Sequence, residues 1–277
     1  MPDVTVEGAI NYLQLSGATN TENIMYLYLK NLSELWRRRF KFYNILKTQP
    51  FPLTEQIGPR CLLEYGNCED ALLFSWMSWR KFIYDIDNRS AQETGYLLEP
   101  ILASCLGGEP ISHRYSPVKR IDDNGNPTNE GRQIDCYIEE SREAYELKLR
   151  VTIAASGQGR FSEEMSFPYE ARRAGLTPVL IVFDPTPSPL LDRLKAKYVE
   201  EGGRYAIGED AWNMLTNRAG REMGKYIIKY IKPPISKMEE VRLPIPSDIQ
   251  LSASEGRFII SDKSGNCYSI SRNEVGE

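Results

Sequence analysis

The chain has 277 residues and an apolar fraction of 41%, which is enough for one large domain or two small ones. Its formal net charge of −4 argues against a protein that coats nucleic acid indiscriminately, because such binding depends on neutralising phosphates. Five scattered cysteines and one histidine argue against a disulfide scaffold, a zinc hydrolase and a serine hydrolase.

The first part of the chain is predicted to be helical. Helices are predicted at 21–48, at 70–85 and from about 90 to 106. Ser90 is expected to cap the third of these helices, and Pro100 is expected to kink or split it. Residues 50–59 contain three prolines and a glycine, and we expect them to form a loop.

Strands and helices alternate in the remainder. Strands are predicted at 111–119, twice within 132–150, at 177–183 and at 204–207. Helices are predicted at 161–174, with Ser162 as a possible cap, at 188–201 and at 209–231. A turn-rich connector is expected at 122–131, and a hairpin turning at 262–266 is expected near the end of the chain.

The segment 132–150 is predicted to form two short strands joined by a polar turn. Alternation places Asp135 on the polar face of the first strand and puts Glu146 and Lys148 on one face of the second. Two carboxylates can hold Mg²⁺, and a lysine can position water or stabilise a phosphate. An exposed charge pair on an edge strand is the alternative, but the apolar residues that follow Lys148 favour a covered strand.

The order helix, strand, strand with D…ExK, helix, buried strand resembles the PD-(D/E)xK nuclease superfamily and, within it, the type II restriction endonucleases. The resemblance covers roughly residues 90–215. It implies that Asp135 and Glu146 bind Mg²⁺, with the carbonyl of Leu147 as an extra ligand, and that Lys148 orients or activates the attacking water. Ile134 stands where many members have proline, which weakens the motif slightly.

The resemblance implies further site residues. Glu99 lies on the preceding helix, where members of the superfamily often have a glutamate that joins the metal site; a solvent-facing position is the alternative. The segment 205–212 is similar to the Gly-x-x-aromatic-Trp segment of several restriction enzymes, with Ala211 in place of the aromatic residue. Glu164 and Glu170 on the next helix are alternative metal ligands.

Candidate DNA contacts are less specific. The small residues of 154–160 permit close approach to a groove, where Gln158 could contact adenine and Arg160 guanine or phosphate; a flexible link is the alternative. Arg172 and Arg173 form a basic pair that could contact DNA or simply face solvent.

The resemblance therefore implies an α/β, restriction-endonuclease-like core, a central mixed β-sheet flanked by helices. We expect a helical region at 1–88, this core at 89–235 and an extension with a hairpin at 236–277, or one compact domain. The chain has no run of eighteen apolar residues and no signal peptide, so we expect a cytoplasmic protein without membrane contact.

The resemblance favours one function over two others. The expected activity is Mg²⁺-dependent cleavage of double-stranded DNA at a short palindromic sequence by a homodimer, because two identical sites related by a two-fold axis can cut both strands. The first alternative is a structure-specific repair or recombination nuclease of the same superfamily. The second is a non-catalytic interaction protein in which the D…ExK pattern is accidental.

Overall fold

The computed structural model describes residues 20–122, 124–149, 158–234, 237, 249–254 and 256–272. The chain divides into two compact units. The first unit comprises the described residues of 32–95 and 237–277, and the sheet unit comprises those of 3–31 and 96–236. The predicted division at 88 and 235 remains a prediction.

The described elements begin with three helices and five strands, and helices and strands then alternate from α4 to α6. They are α1 (Asn20–Thr48), α2 (Thr54–Cys61), α3 (Asp70–Leu106), β1 (Glu109–Ile111), β2 (Lys119–Ile121), β3 (Pro127–Gly131), β4 (Ile134–Ile138), β5 (Glu143–Lys148), α4 (Gln158–Arg173), β6 (Thr177–Val182), α5 (Pro189–Glu200), β7 (Arg204–Ile207), α6 (Glu209–Arg218), α7 (Gly220–Tyr226), a π-helix (Ile227–Ile231), β8 (Gln250–Ser254), β9 (Arg257–Ser261) and β10 (Cys267–Ser271). None of the described helices is both long and apolar enough to span a membrane.

The sheet unit is built on a five-stranded mixed sheet in the order β1-β4-β5-β6-β7. The pairs β1–β4 and β4–β5 are antiparallel, whereas β5–β6 and β6–β7 are parallel. Strand β6 is almost wholly apolar because both of its faces are covered. Residues of β6, α4 and α5 share one apolar core, which includes Phe167, Leu180 and Leu194. The predicted central mixed sheet with flanking helices is confirmed.

The C-terminal strands belong to the first unit. Strands β8, β9 and β10 form an antiparallel sheet, and the Asp262 carboxylate accepts the Asn266 N–H at 2.9 Å in the β9–β10 turn. Phe258 and Ile270 pack with Leu46 and Phe82 in one buried cluster. The predicted hairpin therefore forms, and β8 adds a third strand that the sequence reading did not include.

Two predictions in the helical part are wrong. Residues 50–59 are not all loop, because α2 forms there and buries Ile57 against Leu73 and Met77. The two helices predicted on either side of Ser90 are one continuous helix, α3. Its carbonyl at Ser90 accepts a hydrogen bond from the Thr94 hydroxyl at 2.8 Å, so Ser90 is an interior residue rather than a cap.

Four predictions in the sheet unit are also wrong. The strand predicted at 111–119 is a loop between β1 and β2, and the connector at 122–131 contains β3, which pairs with β2. Helix α4 begins at Gln158, before the predicted cap. The helix predicted at 209–231 is divided, because Gly220 has a φ of 69°, a left-handed conformation that ends α6.

Candidate active site

Strands β4 and β5 bring the predicted site residues to one end of the sheet. Cys136 pairs with Tyr145, so Asp135, one residue earlier, lies beside Glu146. The Asp135 carboxylate accepts a hydrogen bond of 2.9 Å from the N–H of Leu147. This bond fixes the carboxylate at the point where the antiparallel pairing of the two strands ends.

Lys148 lies between two carboxylates. Its ammonium nitrogen is 3.3 Å from Oε1 of Glu146 and 3.1 Å from Oε1 of Glu164, which comes from α4. The side chains of Lys148 and Glu164 are only 13% and 18% exposed. Oε2 of Glu164 is buried and has no hydrogen-bond partner. The pair is thus largely shielded from water, which strengthens its electrostatic interaction.

Negative charge is concentrated at this end of the sheet. Burial, and then the charges of Glu146 and Glu99, raise the pKa of Asp135 well above its usual value. The pKa of Glu99 is also raised, by burial and then by Glu146. Burial lowers the pKa of Lys148, but Glu146 and Glu164 together raise it above its ordinary value. Lys148 is therefore held as an ammonium among these carboxylates.

Glu99 on α3 is partly buried, and its charge interacts with those of Glu146 and Lys148. The structure thus brings the predicted glutamate of the preceding helix to the same cluster. Tyr198 on α5 is fully buried, and burial followed by the charges of Glu146 and Asp135 raises its pKa. Sequence reasoning did not select Tyr198, because its spacing is that of an ordinary buried helix face.

The donor set suits a hard divalent cation. The mutual repulsion of Asp135, Glu146 and Glu99 is relieved by a cation placed between them. The N–H of Phe183 donates to the carbonyl of Lys148. Because successive carbonyls of a strand point to opposite sides, the carbonyl of Leu147 points toward β4. Among the described residues no cluster of three His, Cys, Asp or Glu side chains forms a ready metal cage. Mg²⁺ does not require one, since it is usually held by one or two carboxylates and several waters.

Two other predicted residue groups have structural partners. Glu170 lies 3.4 Å from Arg132 and accepts the N–H of Ile121 at 3.3 Å, so it ties β2 to α4. In the segment 205–212, Gly208 donates to the carbonyl of Val182, and the ring of Trp212 lies 4.5 Å from that of Phe183. That segment packs against the end of β6.

Of the predicted DNA contacts, Arg172 and Arg173 are not near the carboxylates. Arg172 and Arg173 end α4, which leads into β6 where Thr177 pairs with Glu143, at the end of β5 opposite to Lys148. Arg172 contacts Glu201 at 3.3 Å, and Arg173 donates to the carbonyl of Gly125. The predicted loop 154–157 and the side chains of Gln158 and Arg160 lie outside the described residues.

Comparison with known proteins decides the family. The family model of the ApaLI-like restriction endonucleases matches residues 9–232 of the chain. The chain belongs to the ApaLI-like restriction endonuclease family. The type II restriction enzyme ApaLI of Acetobacter pasteurianus is 46% identical over 265 residues, which cover 94% of this chain and 68% of that enzyme. No solved structure matches the chain.

Membership of the ApaLI-like family confirms the predicted class of function. The protein is a type II restriction endonuclease, a site-specific deoxyribonuclease that binds DNA. It is neither of the two alternatives, the structure-specific repair nuclease and the non-catalytic interaction protein. Type II restriction endonucleases generally use a divalent metal ion, which agrees with the donor set at the end of β4 and β5.

Proposed function

We propose that this ApaLI-like enzyme cuts duplex DNA at the cluster of Asp135, Glu146 and Lys148, as a PD-(D/E)xK nuclease. The observation that carries the proposal is the convergence of these side chains at one end of two paired strands. Two carboxylates beside one lysine form the minimal set for hydrolysis of a phosphodiester.

Each residue has a distinct part in the proposed reaction. Asp135 and Glu146, with the carbonyl of Leu147, hold Mg²⁺, which when bound supplies positive charge to the scissile phosphate and lowers the pKa of a bound water. Lys148 keeps its ammonium beside the attacking water and stabilises the negative charge that develops on the phosphate. Glu99 adds a further carboxylate that can accept a hydrogen bond from a water in the site.

Glu164 holds Lys148 in place. Glu146 is also a proposed metal ligand, whereas Glu164, which contacts Lys148 at 3.1 Å, is free to serve Lys148 alone. Because α4 is packed into the core of the sheet unit, Glu164 approaches the lysine from a fixed position. Glu164 therefore acts through Lys148, as a positioning residue, rather than on the DNA.

The proposed substrate is a short palindromic site cut by a homodimer. A duplex has two strands that run in opposite directions, and two identical sites related by a two-fold axis can cut both. Light scattering coupled to size exclusion, with and without a duplex, measures the mass of the protein. A monomeric mass in both conditions contradicts the homodimer without affecting the assignment of the site.

Cleavage of a sequenced plasmid tests the assignment of the site. Asp135→Ala and Lys148→Ala are expected to abolish cleavage in Mg²⁺ while binding of the duplex is retained. Discrete fragments from the wild type, with ends mapped by sequencing, give the recognition sequence and the cut position. Retention of cleavage by both variants refutes the assignment.

A further inference from the structure

The loop that follows β1 emerges beside the proposed catalytic carboxylates. Ile111, the last residue of β1, pairs with Ile134, the neighbour of Asp135. The loop of residues 112–115 therefore begins at the end of the sheet that carries Asp135 and Lys148. Arg114 is three residues beyond Ile111, at most about 10 Å along the chain. In duplex DNA that length corresponds to about three base pairs.

The backbone of this loop is held in place. The N–H of Tyr115 donates to the carbonyl of Ser112 at 3.0 Å, which closes a turn. The buried Ser116 accepts the N–H of Val118 at 3.2 Å through its hydroxyl. The carbonyl of His113 packs directly against Gly131, where any side chain would overlap it. The backbone of the loop is thus already ordered, so binding to a partner would cost little conformational entropy there.

The side chains of the loop are exposed. Ser112, His113, Arg114 and Tyr115 are all exposed, Tyr115 by 76%. Arg114 makes no hydrogen bond or ion pair with the residues that the structure describes. Other described arginines of the sheet unit each contact a carboxylate, a carbonyl or an aromatic ring: Arg120, Arg132, Arg142, Arg172, Arg173, Arg193, Arg204, Arg218 and Arg221.

We propose that the loop 112–115 contacts the DNA next to the scissile phosphate and that Arg114 is its principal contact. Serine, histidine, arginine and tyrosine side chains all donate hydrogen bonds, as contact with phosphates and base edges requires. An acidic surface would repel the duplex, but 112–115 contains no carboxylate. Arg172 and Arg173 by contrast lie at the opposite end of β5 and already have partners. The inference rests on the proposed position of the reaction at Asp135.

Binding measurements on the Lys148→Ala background test the role of Arg114, because the duplex then stays intact. The probe is a fluorescent duplex carrying the cleavage site mapped from the wild-type digest. Arg221→Ala is the matched control, since Arg221 is 85% exposed on α7 and its substitution changes the net charge equally. Arg114→Ala is expected to weaken binding about tenfold or more, whereas Arg221→Ala is expected to leave it unchanged.

The salt dependence of binding, and binding to duplexes with one changed base pair, distinguish a contact with a phosphate from a contact with a base. If Arg114 binds a phosphate, Arg114→Ala reduces the slope of log K against log salt by about 0.9, and Arg114→Lys restores it. If Arg114 reads a base, Arg114→Ala reduces the preference for the mapped site over duplexes with one changed base pair, and Arg114→Lys does not restore it. Either result supports the proposal.

The proposal is overturned if adding Arg114→Ala to Lys148→Ala leaves the affinity, the salt slope and the sequence preference of Lys148→Ala unchanged. A weakening as large in Arg221→Ala also overturns it, since the effect then reflects net charge alone. Thermal unfolding of each variant shows whether it is folded. Failure of this inference is distinct from failure of the proposed site, which is judged by cleavage in Asp135→Ala and Lys148→Ala with Arg114 intact.

Discussion

The Asp135 carboxylate is predicted to destabilise the metal-free protein, and Asp135→Asn should therefore be more stable than the wild type without Mg²⁺. Burial, with Glu146 and Glu99, raises the pKa of Asp135 even though the Leu147 N–H lowers it. Asparagine removes the charge and keeps an oxygen that can accept the same hydrogen bond. The substitution should abolish cleavage because it removes a carboxylate of the proposed metal site.

The size of the effect follows from linkage. The pKa of Asp135 in the unfolded chain is about 3.9. For each unit by which its pKa in the folded protein exceeds that value, the protein loses about 1.4 kcal/mol of stability at neutral pH. A gain of 1 kcal/mol raises Tm by roughly 2–4 °C in a domain of this size. We therefore expect Asp135→Asn to have the higher Tm in the absence of Mg²⁺. Below the unfolded pKa the carboxyl is neutral in both states, so the difference should vanish in acid and grow as pH rises toward the folded pKa.

Differential scanning calorimetry in EDTA and in Mg²⁺ measures this prediction, with Asp87→Asn, an exposed aspartate of α3, as the control. Mg²⁺ at a hundred times its Kd stabilises a protein that binds it by about 2.7 kcal/mol. Mg²⁺ should raise the Tm of the wild type and have less effect on that of Asp135→Asn. The difference in Tm between the two proteins should therefore become smaller. The reasoning is refuted if Asp135→Asn is the less stable protein in EDTA, or if Mg²⁺ stabilises both equally.

Three further predictions follow from contacts in the sheet unit. Glu164→Gln should slow single-turnover cleavage by about 10- to 100-fold with unchanged affinity for DNA, because Lys148 loses its fixed partner; Glu164→Asp should recover part of the rate, and an unchanged rate in Glu164→Gln contradicts the positioning role. Gly131→Ala should cost about 1–3 kcal/mol in urea unfolding, because the added methyl group overlaps the backbone carbonyl of His113; an equal midpoint contradicts it. Burial raises the pKa of Glu143, but hydrogen bonds from Ser141 and an arginine lower it overall. The ionised Glu143 therefore stabilises the protein above the pKa of the unfolded chain, and this stabilisation is lost as pH falls through the pKa of the folded state. Glu143→Gln should therefore cost on the order of 1 kcal/mol at neutral pH, allowing for the partial exposure of its arginine partners, and less in acid; a cost that does not vary with pH argues against the ion pairs.

Local sequence patterns correctly predicted the elements in which local preference and packing favour the same structure. The apolar run of β6 and the alternation of β4 and β5 each carry one clear periodicity. The errors arose where packing outweighs local preference. Ile57 is buried in α2 despite the neighbouring Gly58 and Pro59, and no local pattern records that burial.

The candidate site shows the same division. The strand period placed Glu146 and Lys148 on one face and set Asp135 on the adjacent strand, so the central set was predictable from spacing alone. The partner of Lys148 was not predictable, because Glu164 comes from a helix whose rotation against the sheet depends on the whole core.

The sequence by itself determined the residues of the proposed site, two carboxylates and a lysine on two strands, and most of the order of elements around them. Only the tertiary structure decided the end of the sheet at which each basic residue lies. The pairing of β1 with β4 starts the loop that contains Arg114 at the end of the sheet that carries Asp135, and the direction of α4 places Arg172 and Arg173 at the opposite end. Pairing and direction depend on contacts between residues far apart in the chain, which a local pattern cannot specify.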